Sequence, residues 1–244
     1  MSNTPDRARA ARRSTYLDAL GIGVASGAYA LSFGAIAVAS GLSVWQAQVL
    51  SLGMFTGASQ FAMIGVLGAG GTALAAVATA ALLGARNGLY ALHLTGTLGL
   101  HGWRRLVGAQ LMIDESTAMA LAAEPDREAS RRAFWATGLS IFVLWNLGTV
   151  IGALGASALG DPKALGLDAA IPAAFLALLW PRLRSRLPVA VALVGALVAL
   201  VLTPLTSPGV PVLCAAAVAF LVGLATKPPA TPPGADAPGE TSAP

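Results

Sequence analysis

The sequence predicts an all-α fold: a polytopic transmembrane helix bundle of about eight hydrophobic segments. Three observations predict it. Of 244 residues, 56% are hydrophobic and only 11% charged, with a mean hydropathy of +0.72, whereas a soluble domain carries about 25% charged residues. Apolar stretches near the length of a membrane span recur along almost the whole chain, a span needing roughly 20 apolar residues. The basic residues, all Arg except Lys163 and Lys227, sit in short clusters between those stretches, which is how a membrane protein orients itself. This composition excludes a soluble enzyme, a nucleic-acid binder and a disulfide-stapled secreted domain. Cys214 is the single cysteine. His93 and His101 have no Cys or carboxylate at ligand spacing, so neither a metal site nor a cofactor is expected.

Residues 1–16 form a basic N-terminal tail carrying Arg7, Arg9, Arg12 and Arg13. The transmembrane domain then spans 17–226. Its first run, from about Ala19 to Ala39, exceeds the length of a signal-peptide core, so the Ala37-Val38-Ala39 triplet is read as part of an uncleaved span. Further runs follow at 44–68, 72–100, 106–123, 133–159, 164–180, 187–205 and 209–226. Residues 227–244 contain six prolines among small and polar residues and read as a disordered tail. If every run crosses, eleven cations fall on the side of the N-terminus and three (Arg104, Arg105 and Lys163) on the other. Positive-inside bias then places both termini in the cytoplasm. A faint echo between Gly41-Leu42-Ser43 and Gly166-Leu167-Asp168 is compatible with two four-span halves in the same orientation.

Ionisable groups inside the runs point to function, because each costs roughly 2.5 to 3.5 kcal/mol in hydrocarbon. Arg86 lies centrally in the 72–100 run, and Asp114 and Glu115 centrally in the 106–123 run. Pairing across the two segments would relieve the cost. Arg86 sits within Gly84-Ala85-Arg86-Asn87-Gly88, where two glycines predict a broken third span whose free backbone groups line a site. Tyr90 is one turn away on the same face. Two readings of Arg86 stand side by side: a bidentate clamp for a substrate carboxylate, or a structural partner of Asp114. Asp114 heads a polar stripe with Gln110 and Thr117, and either acid is a candidate coupling group for ions; the alternative is an interfacial helix whose acids touch water. Ser59 and Gln60 lie deep in the second run, as substrate ligands or as interhelical fasteners, and Asn146 carries the same ambiguity. The pairs Gly23/Gly27, Gly53/Gly57, Gly84/Gly88 and Gly148/Gly152 predict tight helix packing.

In Gly53-Met54-Phe55-Thr56-Gly57-Ala58-Ser59-Gln60-Phe61, Arg86-Asn87-Gly88-Leu89-Tyr90, Asp114-Glu115-Ser116 and Leu167-Asp168 with Phe175, the chain resembles the AzlC family, the large subunit of branched-chain amino-acid exporters. The resemblance runs from about Tyr16 to Ala225. It departs at Gly84, where the family often has Asn. The resemblance implies export of branched-chain or other neutral amino acids across the bacterial cytoplasmic membrane. It also implies a small hydrophobic subunit of the AzlD type as partner. No phosphate-binding Gly-x-x-x-x-Gly-Lys motif is present, which leaves an ion gradient as the driver of a secondary transporter. Two other classes compete with it. One is an intramembrane hydrolase using Ser59 with His93 as base, and the other a non-transporting scaffold subunit, against which the buried charges argue.

Overall fold

The computed structural model describes residues 4–158, 176, 179–180, 183, 185–207 and 209–226. Among these the ordered elements are all helices: α1 (Thr4–Ala39), α2 (Val44–Gly53), α3 (Ala58–Gly68), α4 (Ala73–Leu98), α5 (Trp103–Gln110), α6 (Asp114–Ala122), α7 (Arg127–Ala158), α8 (Arg186–Leu202) and α9 (Val210–Ala225). Two of them, over Arg9–Ala39 and Arg127–Ala158, are long and apolar enough to cross a membrane. α4 has 26 residues, about 39 Å of helix. The expected 227–244 tail and the Lys163, Leu167, Asp168 and Phe175 positions lie outside the described residues. The basic segment after Thr4 continues into α1 as helix.

The frame is a seam between α1 and α7, which run parallel. Arg12 Nη2 meets Glu128 Oε1 at 3.3 Å near their first turns. Further along, Gly23 faces Ser140, Gly27 faces Leu144, and Gly34 faces Thr149 and Ala153. A Cβ at Gly34, Gly148 or Gly152 would collide with a carbonyl of the opposite helix. Small residues let the backbones touch, which maximises dispersion contact where lipid removes the hydrophobic drive. The Gly23/Gly27 and Gly148/Gly152 pairs are therefore packing residues. α4 runs the opposite way: Ala75 lies by Gly209, and Thr97 Oγ1 donates to Glu124 Oε1 at 2.8 Å beside the start of α7. The bundle thus has an arginine end, where α1 and α7 begin and α4 finishes, and an opposite end.

The runs at 44–68 and 106–123 do not cross this bundle. α2 leaves the opposite end after α1, breaks at Met54–Gly57, and α3 returns until Gly68 packs on Ser40. α5 leaves the arginine end, breaks at Leu111–Ile113, and α6 returns until Glu124 meets Thr97. Each half-helix has 8 to 11 residues, about 12 to 16 Å, half a bilayer core rather than a whole one. The eight-crossing expectation is corrected accordingly, and Trp103-Arg104-Arg105 stands at the same end as Arg12, Arg131 and Arg132. The structure does contain an internal repeat: a long helix followed by a re-entrant hairpin, α1–α3 and then α4–α6, in opposite senses. α9 starts by Ala75 and Val66 and follows α4, with Phe220 lining the same groove as Leu82 and Leu83. It therefore heads for the arginine end, where α1 starts.

The expected interruption at Gly84–Gly88 is also corrected, since α4 is continuous from Ala73 to Leu98. A lone glycine costs about 1 kcal/mol in a helix, which the 26-residue α4 absorbs at both positions. The first break occurs instead at Gly57, with φ 63° and ψ −90°, a conformation denied to residues with a Cβ.

Two outcomes are expected. In a Cys214→Ser background, the pairs Ser40→Cys/Gly68→Cys and Thr97→Cys/Glu124→Cys should each form an intramolecular cross-link with a short bifunctional thiol reagent. Straight crossings would hold each pair about 30 Å apart and leave them unlinked. Gly57→Ala should lower the melting temperature by several degrees, matching a cost of about 1 to 3 kcal/mol. Gly88→Leu, which meets open space, should leave it unchanged or raise it.

Candidate functional site

The two hairpin tips meet halfway along α4. Arg86 is 11 residues from both Ala75 and Thr97, about 16 Å of helix each way, and so marks the middle of the bundle. Its Nη1 lies 3.2 Å from Oδ2 of Asp114, the first residue of α6, and both side chains are about a quarter exposed. The ion pair expected from the cost of burying either charge is therefore present. Beside it lies a cavity of about 250 Å³, lined among others by Tyr29 and Ser26 of α1, Phe55 and Thr56 of the first tip, Glu115 of α6 and Trp145 of α7.

Each tip is held by the same device, which solves the problem that a broken helix leaves N–H and C=O groups without partners. In the first, Gln60 is fully buried. Its Oε1 accepts from Gly57 N at 3.1 Å and its Nε2 donates to Leu50 O at 3.3 Å, tying the start of α3 to the end of α2. In the second, Ser116 Oγ accepts from Ile113 N at 3.1 Å and donates to Leu111 O at 2.6 Å. Both residues hold the third helical position of the returning half. Gln110 Nε2 then donates to Leu52 O at 2.8 Å, joining one hairpin to the other. The first hairpin is fixed to α7 through Ser51 and Thr149 (3.1 Å), and through Gln48 and Asn146 (3.2 Å).

The cavity's wall is aromatic. Tyr29 and Phe61 have centroids 5.0 Å apart, Phe33 and Phe61 5.5 Å, and Phe33 stacks on Trp145 at 6.0 Å. Trp145 is 5% exposed, and its Nε1–H has no hydrogen-bond partner in the structure. A buried donor without a partner costs roughly 1 to 3 kcal/mol, so this one stands ready for an acceptor. Arg86 Nε is in the same condition. The N-termini of α3 and α6 add two positive dipole ends, while Asp114 and Glu115 supply negative charge. The site therefore offers anion-binding and cation-binding groups a few ångströms apart, over an apolar wall.

Of the residues singled out in the sequence, Arg86, Asp114 and Glu115 line this cavity. Ser59 is buried and lines a neighbouring cavity of about 380 Å³ with Gly84, and Thr56 belongs to both. A Cβ at Gly84 would lie 3.4 Å from Ser59 Oγ, which has no partner. Gln60 has its amide engaged by backbone, as described above. Asn87 and Tyr90 are half-buried on α4, with Tyr90 packed against the core and neither lining the cavity. His93 is exposed and lies about 13 Å beyond Gly84 along α4, out of reach of Ser59. Sequence reasoning missed Tyr29, Phe55, Thr56 and Trp145. The Phe-Thr-Gly step inside an apolar run was the available signal for the first tip; Tyr29 and Trp145 look like ordinary span residues.

A family model described as AzlC protein matches residues 21–159. No curated protein and no solved structure matches the chain. The matched segment contains both hairpins, α4 and the whole cavity. It covers more than half of the 244 residues, and the chain belongs to the AzlC family of transport-related membrane subunits.

Proposed function

We propose that the protein is a permease subunit that exports branched-chain or other neutral amino acids by secondary active transport. One observation carries this reading. The cavity between the opposed hairpin tips pairs anion-binding with cation-binding groups beside aromatic rings, which is the pattern of an amino-acid zwitterion with an apolar side chain. In this reading the carboxylate meets Arg86 and the N-terminus of α3, where guanidinium and free N–H groups suit it. The ammonium meets Asp114 or Glu115, and the side chain lies on Tyr29 and Trp145. At about 250 Å³ the cavity suits a single small metabolite.

Transport follows from competition. When empty, Arg86 is held by Asp114; an arriving amino acid takes the guanidinium with its carboxylate and the acid with its ammonium, so that substrate and a proton compete for Asp114, as export against an inward proton gradient requires. Coupling of an ion gradient to export would pass through this exchange at Asp114, with Glu115 as the second candidate. Each hairpin closes the site from its own end, so small movements of one or the other alternate access. Positive-inside bias places the arginine end, with both termini, in the cytoplasm of a bacterial cell, and a small hydrophobic AzlD-like subunit completes the exporter.

Counterflow of radiolabelled leucine, valine and methionine into liposomes, with and without the small subunit, tests this. Accumulation of at least one of the three above protein-free vesicles is expected, and no accumulation of any would refute the reading. Arg86→Ala and Asp114→Asn should each reduce counterflow at least about ten-fold, since each removes one of the charges that this reading pairs with the substrate's carboxylate and ammonium. Arg86→Lys should fold yet transport poorly, because ammonium lacks the planar fork. The double variant Arg86→Gln/Asp114→Asn should recover protein yield but not transport.

A further inference from the structure

A second site lies at the arginine end, well away from the central cavity. A groove of about 690 Å³ opens between the end of α4, the start of α5 and the first turns of α7, lined by His101, Trp103, Arg104, Val107, Arg131 and Trp135 among others. None of the described residues lining it is acidic. The local carboxylates are committed elsewhere: Glu128 holds both Arg12 (3.3 Å) and Arg132 (3.2 Å), and Glu124 accepts from Thr97. Among the described residues, neither Arg104 nor Arg131 has a carboxylate within 4 Å. Their charges come from different elements yet converge on one groove.

The groove is built rather than incidental. Arg131 Nε donates to Thr97 O at 3.1 Å, and its guanidinium packs against Gly99, whose left-handed conformation (φ 55°) ends α4. That fixes one cation without neutralising it. Arg104 stacks on the Trp103 ring at 5.9 Å, at the N-terminus of α5, where Gly102 provides no side-chain cap. The remaining wall is apolar: Leu98, Val107 and two tryptophans. Trp103 and the adjacent Leu106 are 69% and 76% exposed. Tryptophan beside arginine at the level where the apolar stretches of α1 and α7 begin is the composition of a membrane interface.

We propose that this groove binds the headgroup of an anionic phospholipid. The phosphate sits between Arg104 and Arg131 at the free N-terminus of α5, and the first acyl methylenes cover Val107 and the tryptophans. A free phosphate ion would use the cations but leave the apolar wall wet. Because α5 is the outer half of the second hairpin, the lipid clamps to α7 the element whose tip carries Asp114.

The test uses purified full-length protein in neutral detergent and reads binding of spin-labelled phosphatidylglycerol and phosphatidylcholine, with inorganic phosphate as a separate competitor. It needs no transported substrate, so its outcome is independent of the exporter assignment. Wild-type protein should prefer phosphatidylglycerol. His101→Gln/Arg104→Gln should weaken that binding on the order of ten-fold while leaving the melting temperature of the lipid-free protein unchanged, because both side chains are exposed. Arg131→Lys, which keeps the charge but loses the Nε contact, should weaken it less. Equal binding of the two lipids, full competition by millimolar phosphate, or unchanged affinity in the double variant would overturn the proposal.

Discussion

The constraint on which this structure depends is the need to satisfy backbone groups where helices break inside a membrane protein. Unpaired N–H and C=O groups at that depth cost several kcal/mol each. The protein breaks two helices and spends four polar side chains on the exposed ends. Gln60 and Ser116 each bind both sides of their own break, Gln110 ties the second hairpin to a carbonyl of the first, and Thr56 donates to Met54 O at 3.4 Å. Everything else follows from that solution. With the backbone satisfied from within, the tips can sit mid-bundle, and the half-helices can aim their N-termini at one cavity.

The charged groups obey the same logic. Arg86 comes from a continuous helix and Asp114 from a hairpin tip, so their 3.2 Å contact fastens the second hairpin to the middle of α4. Desolvation makes either charge costly alone and the pair tolerable together. The glycine seam of α1 and α7 supplies the wall behind the cavity, and the aromatic group around Trp145 joins the first hairpin to that wall.

Much of this was legible in residues. Hydropathy alone identifies the helical membrane class, and the cost of ionisable groups in lipid singles out Arg86, Asp114 and Glu115, three residues that line the cavity. The crossings were not legible, because apolar content does not distinguish a span from a hairpin that enters and returns: 44–68, like 133–159, is an apolar run longer than the roughly 20 residues of one span. Glycine content did not locate the break either. Gly84 and Gly88 sit in helical conformation, Gly27 and Gly148 close a seam, and Gly57, at the first break, adopts a backbone that requires glycine. Those differences lie in φ and in what stands opposite, which composition does not carry. The arginines at 104 and 105 held the decisive clue, since placing them with the other cations requires 106–123 to return.

The central claim is that the two hairpin tips and Arg86 enclose one substrate site. Thr56, which belongs to the first tip and borders both cavities, reports on it directly. In a Cys214→Ser background, the rate at which an impermeant thiol reagent modifies Thr56→Cys should fall several-fold on adding leucine, valine or methionine. That protection should vanish when Arg86→Gln is introduced. A rate indifferent to all three amino acids, or protection that persists without the Arg86 guanidinium, would contradict the account.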